Sequence, residues 1–574
     1  MPDNAYPAMA ARRRLPNAWD FVAAAVVLGA LMGLAPAIRG TLGPLAATGS
    51  VVIHLDPAWL PYYAVRTTLR MFAALVASIV FTFGYGTLAA KSRRAEIILV
   101  PLLDILQSVP ILGFLSFTVV FFVDLLPGRV LGLEFAAIFA IFTSQAWNMT
   151  FSFYQSLTTV PGDLDEAARS FRLTAWQRFW RLEVPFAMPG LVWNTMLSMS
   201  GAWFFVVASE AITVGSRTWT LPGIGSFVAL ALADRNLAAI GWAILAMLVV
   251  ILIYDQILFR PLVAWAAKFR VETTAGAPVP EPWVLALLRR TRLLRLGSRT
   301  IGAVLAGLGG LRLGPRASGV ARRGAPSRAG DALWLVLIGV VVAMAAWRIV
   351  LFVSSGLTLG AFGVALVDGC LSLLRVLAAV AFSIVVWGPI GVWMGLRPRV
   401  ARVAQPATQF LAAFPANLLF PLIVIVIVRY RLNPNIWLTP LMIIGTQWYV
   451  LFNVIAGAAA FPGDLREAAA NLRIRGLLWW RRVILPGILP YLVTGAITAM
   501  GNAWNTTIVA EVASWGHTTL VARGLGAYIA EATNEGNTAH IVLGIAVMAA
   551  FVVVLNRLFW RPLYEFARRR AAIV

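Results

Sequence analysis

The chain has 574 residues, of which 60% are hydrophobic and only 12% are charged. Soluble domains carry about 25% charged residues, so this composition excludes a globular protein with a water-exposed surface and indicates an integral membrane protein. The formal net charge of +23 comes from arginines that gather between apolar runs, where they orient membrane helices, and it therefore argues against nucleic-acid binding.

Apolar runs long enough to cross a hydrocarbon core of about 30 Å recur along the first half of the chain. They lack the strict alternation of an outer-membrane barrel strand, so we predict α-helices. Arg12, Arg13 and Arg14 precede the first run, which we interpret as an uncleaved start-transfer helix. The six predicted spans lie near 20–38, 64–90, 97–123, 132–156, 189–212 and 238–259.

A polar segment, residues 157–188, separates the fourth span from the fifth and is longer than a simple helix connection. Asp163 follows a Pro-Gly turn and is predicted to cap a short helix, whose first turn places Glu166 against the positive end of the helix dipole. A second helical stretch follows and is predicted to end at Pro185. One apolar face at helical spacing is formed by Leu164, Ala167, Ala168 and Phe171. Such a face suits insertion into a groove on a soluble partner.

The connector after the sixth span, residues 261–331, is rich in Arg, Gly, Ala and Pro and is predicted to be a basic cytoplasmic linker. Within it, residues 283–296 have two interpretations that the sequence leaves open. One is a basic amphipathic helix that lies on the lipid surface. The other is a disordered linker with interfacial arginines.

The second half of the chain repeats the first. The stretch 160–168 returns 301 positions later as 461–469, and the same register pairs Glu210 with Glu511 and Pro185 with Pro486. An agreement of this length indicates an ancestral duplication, and therefore two copies of one fold. The second set of predicted spans lies near 332–354, 369–395, 403–428, 436–459, 490–512 and 538–559.

We therefore predict an all-α integral membrane protein of about twelve transmembrane helices, arranged as two parallel six-helix repeats. The predicted domains are residues 1–260 and 332–574, with the linker 261–331 between them. The basic segments all fall on one side of the membrane, so the positive-inside rule places both termini in the cytoplasm.

The polar segment also returns, as residues 458–489. Its residues predicted to face a partner are Asp464, Glu467, Ala468, Ala469, Leu472 and Arg473, which match Asp163, Glu166, Ala167, Ala168, Phe171 and Arg172. Two copies in register argue against an accidental helix start. We expect a bulky residue at Ala168 or Ala469 to overfill the partner's groove and to leave folding intact.

At these residues the sequence resembles the inner-membrane permeases of binding-protein-dependent ABC importers, whose signature is Glu-Ala-Ala, three residues and a glycine. The pattern of Trp203 and Glu210 followed by Gly223-Ile224-Gly225 is most similar to the nitrate, taurine and sulfonate branch. The family's glycine falls at Arg172 and Arg473, so both copies depart from the signature at the turn after the short helix.

The resemblance implies two copies of the type I ABC importer permease fold, in which each polar segment is a coupling segment that docks on a separate ATPase. The implied partners are two ABC ATPase subunits, a periplasmic or lipid-anchored solute-binding protein and the lipid of a bacterial inner membrane. The implied cargo is a small solute such as nitrate, a sulfonate or a related anion. The alternative is an ATP-independent channel or an ion-coupled carrier, but its expected mid-membrane ionisable residues are few: Asp104, Glu210 and Glu511.

The sequence contains no recognisable catalytic, cofactor or metal site. Its two lysines, Lys91 and Lys268, each follow an alanine, so the Gly-Lys-Ser/Thr pattern that binds nucleotide phosphates is absent from the sequence. The three histidines show no metal-binding spacing, and Cys370 has no second cysteine with which to pair. We therefore expect the partner ATPase to bind ATP and Mg²⁺.

The fifth span of each half is the predicted wall of the solute pathway, because it follows the coupling segment directly and carries polar residues that are costly against lipid. Equivalent positions of parallel repeats face one another across the pseudo-twofold axis, so Trp203 and Trp504 are predicted as apolar gates. Glu210 and Glu511 either contact the solute or hold helix–helix hydrogen bonds. The predicted pathway residues are Asn194, Ser198, Trp203, Glu210, Asn502, Trp504, Asn505 and Glu511.

Overall fold

The computed structural model describes residues 52–269 except 109, 215 and 216, residues 357–571 except 460, 462 and 517, and short runs or single positions within 21–43 and 291–351. The predicted spans near 20–38 and 332–354, and the two alternatives for residues 283–296, lie outside the continuously described stretches. The side chains of Asp104 and Asp464 also lie outside the described part of the chain.

The first half is built from long helices joined by short connections. Its helices are α1 (Leu60–Lys91), α2 (Arg93–Ser108), α3 (Ile111–Leu125), α4 (Val130–Thr158), α5 (Gly162–Ser170), α6 (Ala175–Ser209), α7 (Ile224–Ala233) and α8 (Leu237–Ala266). Between α6 and α7 lies an antiparallel hairpin of β1 (Ala211–Val214) and β2 (Arg217–Thr220). Its register pairs Ala211 with Thr220 and Val214 with Arg217.

The second half contains the same elements in the same order. Its helices are α9 (Leu359–Gly395), α10 (Pro398–Ala413), α11 (Ala416–Arg429), α12 (Pro434–Ala459), α13 (Gly463–Asn471), α14 (Gly476–Ala510), α15 (Leu525–Glu535) and α16 (Thr538–Ala567). A matching hairpin of β3 (Val512–Trp515) and β4 (Thr518–Val521) joins α14 to α15. The predicted repeat of one helical fold is confirmed, and the two short hairpins are additions that the sequence did not predict.

Eight helices in the described part of the chain are long and apolar enough to cross a membrane, and the bent pair α10 and α11 would be a ninth. The third span predicted near 97–123 and near 403–428 is broken into two helices in each half. In the first half, α2 ends at Ser108 and α3 begins after Pro110, and in the second half α10 and α11 meet at 77° next to Pro415. Proline lacks a backbone N–H and disfavours a helical residue before it, so both copies break at the same place.

The two halves share a layer of buried apolar side chains. The layer is supplied by α3 and α6 of the first half and by α11, α12 and α14 of the second half, and it includes Leu112, Leu115, Phe204, Phe420, Val424 and Ala510. Helices within a membrane associate through close packing of this kind, because lipid tails are as apolar as the side chains themselves. The halves therefore pack as one body at this layer.

A π-helical turn lies near the start of each fifth span, at Phe179–Glu183 and at Trp480–Ile484. The prediction that Pro185 ends the preceding helix was wrong. The Val184 N–H bonds to the carbonyl of Phe179, five residues back, and Pro185 then lies in the first turn of the next α-helical stretch, where its missing N–H is tolerated. Each coupling segment therefore continues into the fifth span without interruption.

Candidate functional site

Two glutamates are fully buried where the fifth spans end. Glu210 follows α6, and its carboxylate receives Arg70 of α1 at 2.7 Å. The same guanidinium donates to both oxygens of Glu134 on α4, at 2.6 and 2.8 Å, and Arg66 pairs with Glu134 at 2.5 Å. Two arginines therefore balance two carboxylates inside the first half, which satisfies the condition for retaining buried charge.

The second half holds a simpler version of this cluster. Arg375 of α9 donates to the buried Glu511 at 2.8 Å. Its remaining N–H groups donate to the backbone and side-chain oxygens of Asn435, at 3.2 and 3.3 Å. A neutral amide thus replaces the second carboxylate, and one arginine balances one glutamate.

Each glutamate also receives the N-terminus of the short helix that follows the hairpin. The second oxygen of Glu210 accepts the Gly225 N–H at 2.6 Å, and that of Glu511 accepts the Gly526 N–H at 2.8 Å. A carboxylate at this position is favoured by the free N–H groups and the positive end of the helix dipole. A Cβ at Gly223 would overlap the Glu210 carboxylate, which accounts for glycine at that position.

A hydroxyl completes each cluster. Thr67 donates to Glu210 at 2.6 Å and accepts the Ile224 N–H at 3.1 Å. In the second half, Ser372 donates to Glu511 at 2.7 Å and accepts the Leu525 N–H at 2.8 Å. With their oxygens occupied in this way, Glu210 and Glu511 fit the structural alternative rather than contact with a solute.

The arginines and Glu134 were missed by the sequence analysis, although a signal was present. Arg70 and Arg375 interrupt apolar spans at equivalent places in the two halves, and an ionisable residue within a span is expected to have a functional partner. The hydrophobic pattern gave no indication of which carboxylate each arginine meets.

The predicted gates do not face one another. Trp203 and Trp504 are each 1% exposed and belong to separate buried clusters. Trp203 contacts Tyr254 edge to face within the first half, and Trp504 stacks on Phe551 within the second half. The prediction of paired gates was wrong because the two indoles are buried in separate clusters, of which the Trp203 cluster also includes Ala413 and Leu418 of the second half.

The remaining predicted pathway residues separate into two groups. Asn194 donates to Ser152 and Asn502 to the Gly445 carbonyl, each within its own half, at 3.0 and 2.9 Å. Ser198 is buried. Asn505 differs, because its side-chain oxygen accepts the Ile111 N–H of the other half at 2.7 Å. Asn505 therefore lies at the contact between the halves.

A cavity of about 270 Å³ lies between the two halves at the hairpin end of the molecule, the end at which β1–β2 and β3–β4 lie. Its polar side chains are Asn417 and Ser514, and the side-chain oxygen of Asn417 has no hydrogen-bond partner among the described residues. Asn417 was not identified from the sequence, although it follows the Pro415 break. The apolar lining includes Val207, Val228, Phe420, Val424 and Val512.

The coupling helices α5 and α13 form where the sequence predicts short helices, but they present a different face. Ala168 and Ala469 are only 5% and 3% exposed, whereas Phe171 and Leu472 are 79% and 73% exposed. The prediction that the alanines fill a partner's groove and tolerate bulky replacement was wrong, because they pack inside this chain. The outward residues are Glu166, Ala167, Phe171 and Arg172, with Glu467, Ala468, Leu472 and Arg473 in the second copy.

The cap predicted at Asp163 was also wrong. The helix α5 begins at Gly162 after Pro161, and no side chain caps it, so Asp163 lies in the first helical turn. An exposed carboxylate there still interacts favourably with the helix dipole.

Both coupling helices end in the same left-handed turn. Arg172 and Arg473 each have φ of 52°, a region that glycine enters freely and other residues rarely enter. The Leu173 N–H bonds to the Ala168 carbonyl at 3.1 Å, and the Arg172 N–H bonds to the Arg169 carbonyl at 2.8 Å, which is the Schellman pattern of a helix end. The turn therefore keeps the backbone of the glycine signature although both copies have arginine.

Ion pairs hold the first coupling segment to the spans. Asp165 of α5 pairs with Arg178 of α6 at 2.8 Å, and Glu183 pairs with Arg178 at 3.2 Å and with Lys91 of α1 at 2.8 Å. The equivalent residues of the second half are Arg466, Trp479 and Ile484, which provide no such set of opposite charges. The two coupling segments therefore differ in how they are fixed.

A family model described as the inner membrane component of binding-protein-dependent transport systems matches residues 82–260 and 388–569. The bicarbonate transport system permease protein CmpB of Synechococcus elongatus is 26% identical over 186 residues, which cover 32% of this chain and 64% of that protein. The taurine transport system permease protein TauC of Escherichia coli is 31% identical over 188 residues, which cover 32% and 64%.

The glycine betaine/proline betaine transport system permease protein ProW of Escherichia coli is 31% identical over 227 residues, which cover 39% of this chain and 57% of that protein. The matched region thus spans at most 64% of the length of these three relatives.

The buried pair in the second half yields a stability prediction. We expect Arg375→Met to lower the free energy of unfolding by about 3–5 kcal/mol, because it leaves Glu511 buried without a counter-charge. The double variant Arg375→Met/Glu511→Gln removes both charges and should recover most of that loss. Thermal unfolding of the detergent-solubilised protein, followed by tryptophan fluorescence, measures both effects.

The exposed Arg402→Met is the matched control and should leave the unfolding midpoint unchanged. An Arg375→Met protein as stable as this control would show that the pair does not hold the fold.

Proposed function

Because the chain belongs to the family of binding-protein-dependent transport system inner membrane components, we propose that it is the double-length permease of an ATP-driven importer. A single observation carries the proposal: one chain holds two copies of the same outward coupling surface, at Phe171 and at Leu472. In this proposal the chain conducts the solute and catalyses no reaction, and two separate ATPase subunits supply the energy.

The cargo we propose is a small solute delivered by a binding protein outside the membrane. The names of the matched relatives refer to bicarbonate, taurine and betaine, which are all small and polar or charged. An ion-coupled carrier is less well supported, because it needs an ionisable group free to exchange its ion. The buried ionisable groups of the described spans instead form ion pairs, as Glu134 does with Arg66 and Arg70.

The proposed docking surface on each ATPase is a groove that receives an exposed apolar side chain at the end of the coupling helix. Phe171 and Leu472 suit this role because each lies beside the left-handed turn and projects from a helix that its own alanine anchors. A few side chains buried at an interface usually carry most of the free energy of association, so these two positions are the ones to test.

We expect the double variant Phe171→Asp/Leu472→Asp to weaken ATPase binding at least tenfold, because two charges replace the anchors. Folding should be retained, since exposed positions tolerate substitution within about 0.5 kcal/mol. Binding is measured by titrating purified ATPase onto the detergent-solubilised permease, and solute uptake is measured in vesicles.

Leu359→Asp provides the control, because Leu359 is equally open to its surroundings but begins α9, away from the coupling helices. Normal ATPase affinity in the Phe171→Asp/Leu472→Asp protein would rule out these side chains as the docking anchors.

The two coupling surfaces also predict a stoichiometry. One copy of this chain should assemble with two ATPase subunits, because each half supplies one docking surface and the halves already pack against each other. Native mass spectrometry of the solubilised complex measures the ratio. A stable complex with one ATPase subunit, or with two copies of this chain, would contradict the proposal.

We place the solute pathway along the contact between the halves. The interhalf cavity supports this placement, since its unpartnered Asn417 oxygen offers a hydrogen bond without a fixed charge. A pathway of this kind lets a solute pass without being bound tightly, so selection would rest on the binding protein.

Cysteine labelling tests the pathway in a Cys370→Ala background. We expect Asn417→Cys to react with a small water-soluble thiol reagent, at a rate that changes when ATPase and ATP are added. Ala202→Cys, on α6 and buried in the first half, should not react. Protection of Asn417→Cys under every condition would mean that the solute passes elsewhere.

A further inference from the structure

A short part of the connector lies against the first coupling segment. We call residues 306–313 the connector segment, and its residues 306–310 are helical. The indole N–H of Trp176 donates to the Leu308 carbonyl at 2.7 Å, and the Gln177 side chain donates to the Gly310 carbonyl at 2.9 Å. The Trp176 backbone N–H bonds to the Leu313 carbonyl at 3.4 Å. Three hydrogen bonds thus join two parts of the chain that are far apart in sequence.

Two glycines allow this close approach. A Cβ at Gly309 would lie 3.2 Å from the Cβ of Trp180, and a Cβ at Gly310 would lie 3.3 Å from the guanidinium of Arg181. Both separations are tighter than ordinary van der Waals contact, so larger residues would push the connector segment away from the coupling segment. The glycine pair therefore brings backbone carbonyls within reach of the Trp176 and Gln177 donors.

The second coupling segment has a different surface at the equivalent positions. Leu477 and Leu478 replace Trp176 and Gln177, and they are 73% and 49% exposed. Their side chains carry no hydrogen-bond donor, and Arg481 replaces the Trp180 against which Gly309 packs. The connector segment therefore fits only the first coupling segment.

We propose that the connector segment is a built-in docking partner of the first coupling segment. It covers Trp176 and Gln177 and leaves the equivalent Leu477 and Leu478 open, while Phe171 and Leu472 stay exposed in both halves. We assign Leu477 and Leu478 as a contact of the ATPase subunit that docks on the second coupling segment, an assignment that rests on the proposed function. It follows from position, since the two leucines lie only five and six residues beyond the anchor Leu472 in sequence and are exposed as Leu472 is.

A disulfide measures whether the connector segment is seated. In a Cys370→Ala background, Gly309→Cys/Trp180→Cys should form a disulfide on mild oxidation, because a Cβ separation of 3.2 Å needs to open by only a few tenths of an ångström to reach the usual range of about 3.5–4.5 Å. The matched control, Gly309→Cys/Arg481→Cys, pairs the connector with the second half and should not cross-link. Free thiols are counted by mass spectrometry after alkylation.

The oxidised Gly309→Cys/Trp180→Cys protein should transport as fast as the same protein after reduction, because the segment is already docked. Three outcomes would each contradict the docked connector segment. They are failure of this pair to cross-link, equal cross-linking of the control, and a loss of transport that reduction reverses.

Thiol accessibility tests the open surface at matched positions. In the purified permease without ATPase, Leu478→Cys should react with a water-soluble maleimide at least tenfold faster than Gln177→Cys, and ATPase binding should protect Leu478→Cys. Equal rates for the two variants would contradict the proposal that the connector segment covers Gln177. Protection of Leu478→Cys by lipid alone, or no protection by bound ATPase, would overturn the assignment of its occupant. The disulfide measurement uses no ATPase, so it stands or fails separately from the proposed function.

Discussion

The buried arginine–glutamate pair at the end of each fifth span is the contact on which the arrangement of each half depends. Through Arg70 and Glu210, or through Arg375 and Glu511, it joins the second span, the fifth span and the helix that follows the hairpin. Breaking a buried pair by removing one partner is costly, because the charge that remains has no water to solvate it. The pair therefore holds these three elements together at the hairpin end of each half.

The helix α6 connects this buried pair to the first coupling segment. The helix α6 has 35 residues and is about 50 Å long at 1.5 Å per residue, with the coupling helix just before its start and Glu210 just after its end. The π turn carries the helix past Pro185 without interruption, so in the proposed function a displacement of the coupling segment would be transmitted along α6. Each buried ion pair lies within one half, so a shift of the halves along the apolar layer between them would leave these pairs intact.

The sequence predicted the long helices, the repeat and the place of the coupling helices, because these depend on apolar length and on self-similarity. The sequence did not predict which apolar side chains pack inside the chain and which face outward. Ala168 and Phe171 were assigned to one face, but the Phe171 N–H bonds to the Ala167 carbonyl at 3.0 Å, so Phe171 lies beside the exposed Ala167 and points outward while Ala168 packs inward. Likewise, Trp203 was recognised as apolar, but periodicity cannot show whether an apolar side chain lies in a packed core or along a solute pathway.

Arginine at the two left-handed turns shows a different limit of signature matching. The glycine of the signature supplies a backbone conformation, and Arg172 and Arg473 adopt that conformation at a cost of roughly 1–2 kcal/mol relative to glycine. The Schellman hydrogen bonds are complete in both turns, so the departure in residue type changes no backbone contact there. What it changes is the exposed surface, where a cation now stands beside each apolar anchor.

Fusion of the halves accounts for the differences that have accumulated between them. Two identical subunits must change both copies of a surface together, whereas fused copies change independently. The charge cluster of the first half has a second carboxylate where the second half uses Asn435. Arg466 and Trp479 replace the ion-paired Asp165 and Arg178 in the second half. The connector segment, residues 306–313, contacts the first coupling segment through Trp176 and Gln177. An uneven permease is therefore the expected product of covalent linkage, although both halves keep the buried arginine–glutamate pair, the π turn and the left-handed turn.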